Sequence, residues 1–267
     1  MRSFRHLMKL GLERLSGYQA WLERSSDVGE IRALLRSLAP VLTEQPLVRI
    51  GGQDDGGYLL PDDLSGVKAL ISPGVSTEVS FDLAIADRSI DVFMADASVD
   101  GPPVENPRFH FHPKFVDVYE DDKNMRLDTL CGLQPAGEDG DRILQMDIEG
   151  AEYRVLLDLD EEILKSFRIM VIEFHHLDKM FASFPLDIIH ATFQKLLRYH
   201  QVVHIHPNNV AEPTTRGDII IPPIMEFTFY RKDRASVMKN QRQQFPHELD
   251  RDNVPGRPKL VLPRCWQ

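Results

Sequence analysis

The chain has only two cysteines in 267 residues, Cys131 and Cys265. They lie far apart and fit no CxxC or Cys/His spacing, which excludes a disulfide framework and a structural zinc and makes a reducing, cytoplasmic location the expectation. Basic side chains are the second shortage. Lys and Arg number 31 against 41 Asp and Glu, for a formal charge of -10, and that field opposes binding to a nucleic-acid backbone. Long apolar runs are absent too. None approaches the roughly 18 residues that span a bilayer, and the N-terminus lacks the apolar core and small-residue cleavage site of a signal peptide, so a soluble protein is expected. No internal repeat of roughly 20 to 50 residues is present, and the composition is not that of a collagen, a coiled coil or a disordered tail.

What the chain does contain divides into three stretches. Residues 1–45 read as a helical extension. Phe4, Leu7, Met8, Leu15, Tyr18 and Trp21 recur at roughly helical spacing among Arg2, Arg5, Lys9 and Arg14, and Ile31, Leu34, Leu35 and Leu38 repeat the pattern before Pro40. The basic side of the first helix suits either an anionic membrane surface or the flank of its own domain, and the second reading is adopted. Residues 46–234 alternate strands and helices. Seven short apolar or β-branched runs (68–72, 91–95, 108–111, 142–146, 168–174, 201–205 and 225–231) are candidate strands. Helical patterns at 79–88, 152–159 with 161–165, and 186–200, with a shorter one at 121–130, supply crossovers. That order predicts a mostly parallel, doubly wound α/β sheet. Residues 235–267, with Pro246, Pro255, Pro258 and Pro263 among many charges, are expected to wrap the surface or stay loosely ordered.

In such a sheet ligands bind beyond the carboxyl ends of the strands, so polar residues at strand ends matter most. The first core strand ends in Ser72-Pro73-Gly74-Val75-Ser76, a turn with one glycine where a dinucleotide fingerprint has three. The second ends at Asp96, placed to accept hydrogen bonds from ribose hydroxyls or simply to cap a turn. The fourth ends in Asp147-Ile148-Glu149-Gly150-Ala151-Glu152, three carboxylates in six residues. They cannot all be buried, and either helix capping or a bound cation or ligand accounts for them. Glu173-Phe174-His175-His176 and His204-Ile205-His206 close two more strands. Asp147, Glu173 and His206 form a candidate divalent-cation set, and a neutral imidazole there can serve as general base. Upstream, Gly51-Gly52-Gln53-Asp54-Asp55-Gly56-Gly57-Tyr58 reads as a hairpin turn.

Taken in order, Asp55-Gly56-Gly57-Tyr58, the Ser72 to Ser76 turn running into Val79-Ser80-Phe81-Asp82, Asp96, and Met146 to Glu152 resemble the FkbM-like S-adenosylmethionine-dependent methyltransferases, in particular a branch carrying the DGGY element. The resemblance spans roughly residues 47–232. It implies a Rossmann-like class I methyltransferase fold: a seven-stranded, mostly parallel sheet with helices on both faces, whose last strand, 225–231, inserts antiparallel. It also implies S-adenosylmethionine as cofactor, with magnesium or another divalent cation as a further candidate, and O-methylation of a sugar, a glycan or a related small molecule. By position, Asp55, Gly57, Ser72, Gly74, Glu78, Asp96 and Asp147 would contact the cofactor, while His175, as base, with Asp147 and Glu149 would border the transfer site. Ser72 stands where relatives carry an acid, and Glu78 falls near their second glycine. Two alternatives stay open. One is a non-catalytic methyltransferase-like binding protein; the other is a metal-dependent hydrolase built from Asp147, Glu173, His175 and His206.

Overall fold

The structure, a computed structural model, describes residues 23–134, 140–238 and 243–267. The first helix expected from Phe4 to Trp21 lies outside the described residues. The second is α1, Val28–Ser37, which starts where Asp27 accepts hydrogen bonds from the Gly29 and Glu30 amides and buries Ile31, Leu34 and Leu35. Strands β1 (Leu47–Gly51) and β2 (Gly57–Pro61) pair as the expected antiparallel hairpin.

Next come β3 (Ala69–Pro73), α2 (Ser80–Ala86), β4 (Asp91–Ala95) and β5 (Phe109–His112), then the two-residue strands β6 (Phe115–Val116) and β7 (Asn124–Met125). Helix α3 (Leu127–Cys131), β8 (Arg142–Met146), α4 (Glu152–Asp158), α5 (Glu161–Ser166), β9 (Phe167–Phe174), α6 (Ser183–Tyr199) and β10 (His200–Pro207) follow. A small hairpin, β11 (Thr214–Arg216) with β12 (Ile219–Ile221), precedes β13 (Met225–Arg231). The helix expected over 121–130 is reduced to α3. Asp121 Oδ1 instead accepts from the Lys123 and Asn124 amides, closing a turn that competes with the helix.

Seven strands form the central sheet in the order β10-β13-β9-β8-β3-β4-β5. From β9 to β5 every pairing is parallel, and β13 runs antiparallel to both β9 and β10. Strands β3 and β9 are buried along their whole length, as expected of parallel strands covered on both faces. Successive residues therefore serve different cores. Ile71 packs with α1, α4 and α6 on one face, and Leu70 with α2 and the β1-β2 hairpin on the other. The chain moves outward from β3 through β4 to β5, then returns to β8 on the opposite side of β3. That reversal falls between β3 and β8, and a crevice opens at their carboxyl ends.

The C-terminal stretch wraps the domain. Trp266 is wholly buried, edge-on to Phe227 with ring centroids 5.9 Å apart, and its indole N–H donates to the Ile220 carbonyl. Among the described residues no helix is long and apolar enough to cross a membrane.

Candidate active site

The loops after β3 and β8 meet. Gly74 adopts φ +86°, and its amide donates to the Ala95 carbonyl at 3.0 Å, while the Asp147 amide donates to the Pro73 carbonyl at 3.2 Å. Two adjoining cavities open there. The larger, about 410 Å³, lies between Gly74, Ser76, Asp96 and Ser98 on one side and Phe115, Asp117, Asp147 and Arg154 on the other. The smaller, about 210 Å³, extends toward the hairpin turn and Asp55, Gly56, Tyr58, Glu78, Asp82 and Gln145. Gly74, Ser76, Asp147 and Glu149 line both.

Asp96 is buried at the mouth of the larger cavity. Its Oδ2 accepts from the Ser76 amide at 2.8 Å and its Oδ1 from the Ser98 amide at 2.7 Å, so it ties the loops after β3 and β4 together while lining the cavity. The far wall carries a forked ion pair, with Arg154 Nε and Nη2 donating to Asp117 Oδ1 and Oδ2 at 2.7 and 2.9 Å. The guanidinium holds the Asp117 carboxyl below the usual range. Neither residue stands out in the sequence, and neither does Phe115, an exposed aromatic on a two-residue strand.

The residues expected at the cofactor divide by placement. Asp55, Gly74, Glu78, Asp96 and Asp147 line the cavities. Ser72 does not reach them: it is fully buried, its hydroxyl donates to Gln145 Oε1 at 2.9 Å, and the Gln145 side-chain amide donates in turn to the Tyr58 hydroxyl at 3.3 Å. Gly57 serves the hairpin, since a Cβ there would lie 2.1 Å from the Gly52 carbonyl oxygen. Its neighbour Gly56 is the glycine that lines the cavity.

His175, just past β9, is surrounded by carboxylates. Its Nε2 lies 3.4 Å from Glu149, 3.6 Å from Glu173 and 3.8 Å from Asp147, and its Nδ1 is 3.1 Å from Glu152 Oε1. With Glu152 ionised, Nδ1 carries the proton and donates, leaving Nε2 toward the other three acids. Glu152 was legible in the sequence only as one of three neighbouring acids. It is wholly buried because Oε1 also accepts from the Ile148 and Gly150 amides, so one carboxylate shapes the turn and orients the imidazole. Tyr153 fixes the same segment by donating to the His175 carbonyl at 2.7 Å. Glu149 is the exposed member, its side chain 86% accessible, and sits at φ +56°, a conformation that costs a non-glycine residue roughly 1–2 kcal/mol.

Burial works against charge on Asp147, Glu173 and His175. It raises the Asp147 carboxyl to about 7, despite the opposing pull of His175, and holds Glu173 well above the ordinary carboxylate range, reinforced by Asp147 and Glu226. For His175 burial acts downward, but the Glu152 hydrogen bond and the flanking acids outweigh it and the net shift is upward. Asp147 therefore gains and loses its proton near neutrality, which suits proton transfer.

One ligand atom each from Asp147, Glu149 and His175 lie within 4.8 Å of one another, the single such metal-competent trio among the described residues. The set Asp147, Glu173 and His206 is not brought together this way. His206 points to the C-terminal stretch, with its Nδ1 3.7 Å from Asp250.

No curated protein matches the chain. Residues 77–200 match the family model described as the methyltransferase FkbM domain. That span runs from just after Gly74 to the end of α6 and contains Asp96, Asp147, Glu149, Glu152, Glu173 and His175. The strand order and the crevice at its reversal point agree with this match: residues 77–200 are similar to the methyltransferase FkbM domain.

Proposed function

We propose that the protein transfers a methyl group from S-adenosylmethionine to a hydroxyl of a sugar, a glycan or a related small molecule. The observation that carries this reading is the pair of cavities joined at Gly74, Ser76, Asp147 and Glu149. The larger has the volume of a small-molecule site, with Asp96 at the strand end where ribose hydroxyls are held in nucleoside-binding sheets. The residues present fit the cofactor: Gly74 brings bare backbone to the cavity wall, and Asp147 Oδ1 is buried there with no hydrogen-bond partner.

When bound, S-adenosylmethionine supplies a methyl group already activated on a sulfonium. The chain's own task is placement and proton removal. Asp147 and Glu149 border both cavities and hold the acceptor hydroxyl against the methyl carbon. With the cofactor bound, the acceptor oxygen would take the methyl as sulfur keeps the electron pair of the broken carbon–sulfur bond, and His175 Nε2 would accept the hydroxyl proton. Glu152 keeps Nδ1 protonated, so Nε2 is the accepting atom. Asp147 shares the proton load or orients the imidazole.

Incubating purified protein with labelled S-adenosylmethionine and an extract of glycans and small metabolites tests the proposal. A labelled product carrying a new methyl ether is the expected result. Saturable thermal stabilisation by S-adenosylmethionine with no labelled product would favour a binding protein instead. Neither binding nor label would end the proposal.

A further inference from the structure

The C-terminal stretch reaches Asp55, a residue that lines the smaller cavity. Strands β9, β13 and β10 place Glu173, Glu226 and His206 side by side, Glu226 opposite both neighbours in register. Glu226 is buried, and Asn253 from the C-terminal stretch lies over it, donating from Nδ2 to Glu226 Oε1 at 2.5 Å. The same nitrogen makes a long hydrogen bond, 3.4 Å, to Asp55 Oδ1 in the hairpin turn that lines the smaller cavity. A side-chain amide has two hydrogens on one nitrogen, so one Asn253 can serve two carboxylates that repel each other. An aspartate of the same shape would add a third charge and no donor.

The stretch is fixed on both sides of Asn253. Before it, Asp250 Oδ1 lies 2.9 Å from His204 Nε2 and 3.7 Å from His206 Nδ1. After it, the Val254 amide donates to Asn209 Oδ1 at 2.8 Å, and Asn209 Nδ2 returns a bond to the Val254 carbonyl at 3.1 Å. Among the described residues, side chains of β1 and α2 also hold the hairpin turn. Arg49 donates to the Gly52 and Asp54 carbonyls, and Ser80 to the Gly56 carbonyl. Asn253 is thus the tie that sets the carboxylate of Asp55 itself.

We propose that Asn253 is a positioning residue of the active site, through which the C-terminal stretch holds the Glu226 carboxylate and the Asp55 turn of the smaller cavity. The inference rests on the methyltransferase reading for its purpose, but its geometry is testable without it. The first readout is amide hydrogen exchange over residues 52–57 in the cofactor-free protein, comparing wild type with Asn253→Leu, Asp55→Ala and the double variant. Each single change should speed exchange in this turn about tenfold, and the double variant should add nothing to Asp55→Ala, because the two act through one contact. The second readout is calorimetric binding of S-adenosylhomocysteine, expected to weaken at least fivefold in Asn253→Leu.

Unchanged exchange in Asn253→Leu, or independent and additive effects in the double variant, overturns the inference. Should Asn253→Leu not fold, Asp55→Ala, a change at an exposed turn, carries the test alone, and unchanged exchange there overturns it equally. Faster exchange together with a wild-type protein that binds no S-adenosylhomocysteine would uphold the positioning role and count against the methyltransferase reading.

Discussion

A Cβ built on Gly74 would sit 1.5 Å from the carbonyl oxygen of Asp147, so the turn after β3 touches the turn after β8 backbone to backbone. Any side chain at residue 74 must push the two apart, and at φ +86° it would be strained even in open space. Gly74→Ala should therefore cost on the order of 3 kcal/mol of stability in urea denaturation and abolish S-adenosylmethionine binding. Gly101→Ala, where nothing lies within 4 Å of the added Cβ, is the matched control and should change stability by less than about 0.5 kcal/mol. Equal stability of the Gly74→Ala protein and wild type would show that the two turns are not in contact.

The acid-walled imidazole gives a kinetic expectation with a sign. Removal of a general base typically costs about 10²-fold or more, so His175→Ala and Asp147→Ala should each lower methyl transfer by that order at limiting substrate. If both keep the wild-type rate, the assignment of these residues is wrong. Because His175 is shifted upward by Glu152 and the neighbouring acids acting against burial, transfer should still be rising with pH above the ordinary imidazole range. Glu152→Gln removes the hydrogen-bonded charge and should move that rise to lower pH; a shift to higher pH would show that Glu152 does not support the imidazolium.

Asp82 offers a test on stability alone. It is buried beside the smaller cavity, and burial raises its carboxyl to about 7. A carboxyl raised in the folded state stabilises most below its unfolded value, near 4, and that contribution is lost as pH climbs through 7. Wild type should lose up to about 4 kcal/mol from this group between those limits. Asp82→Asn should equal wild type near pH 4 and exceed it at pH 8, measured by melting temperature. A variant less stable than wild type at pH 8 would mean that the carboxylate has partners that offset its burial.

How much of this could be read from residues alone follows from range. The seven strands were legible because parallel strands covered on both faces are nearly continuous apolar runs, as in Ile169 to Ile172 of β9. Strand-end acids were legible because topology sends them to one edge, and Gly74, Asp96, Asp147 and Asp55 do line one crevice. Local competition was harder to see: the Asp121 turn overrides a helical pattern in its own segment. Pairings over long separations left no signal. Nothing near Asn253 or Asp250 announces that each meets a partner on β13 or β10. Nor does the pattern of three acids say that Glu152, rather than Asp147, would be the one sealed completely inside.

The cation question separates two ligand sets that share Asp147. Residue order alone favours Asp147, Glu173 and His206, whereas side-chain geometry gathers Asp147, Glu149 and His175. Manganese accepts both carboxylate and imidazole, which makes it a better probe of either set than the oxygen-seeking magnesium. A bound ion would also draw the proton from His175 and relieve repulsion among acids that burial now holds partly protonated. Millimolar manganese should therefore raise the melting temperature of wild type, and the rise should disappear in Glu149→Gln and His175→Gln but persist in His206→Gln. The opposite pattern would move the ion to Glu173 and His206. No rise in wild type, with and without S-adenosylmethionine, would assign the acids to proton handling and cofactor binding alone.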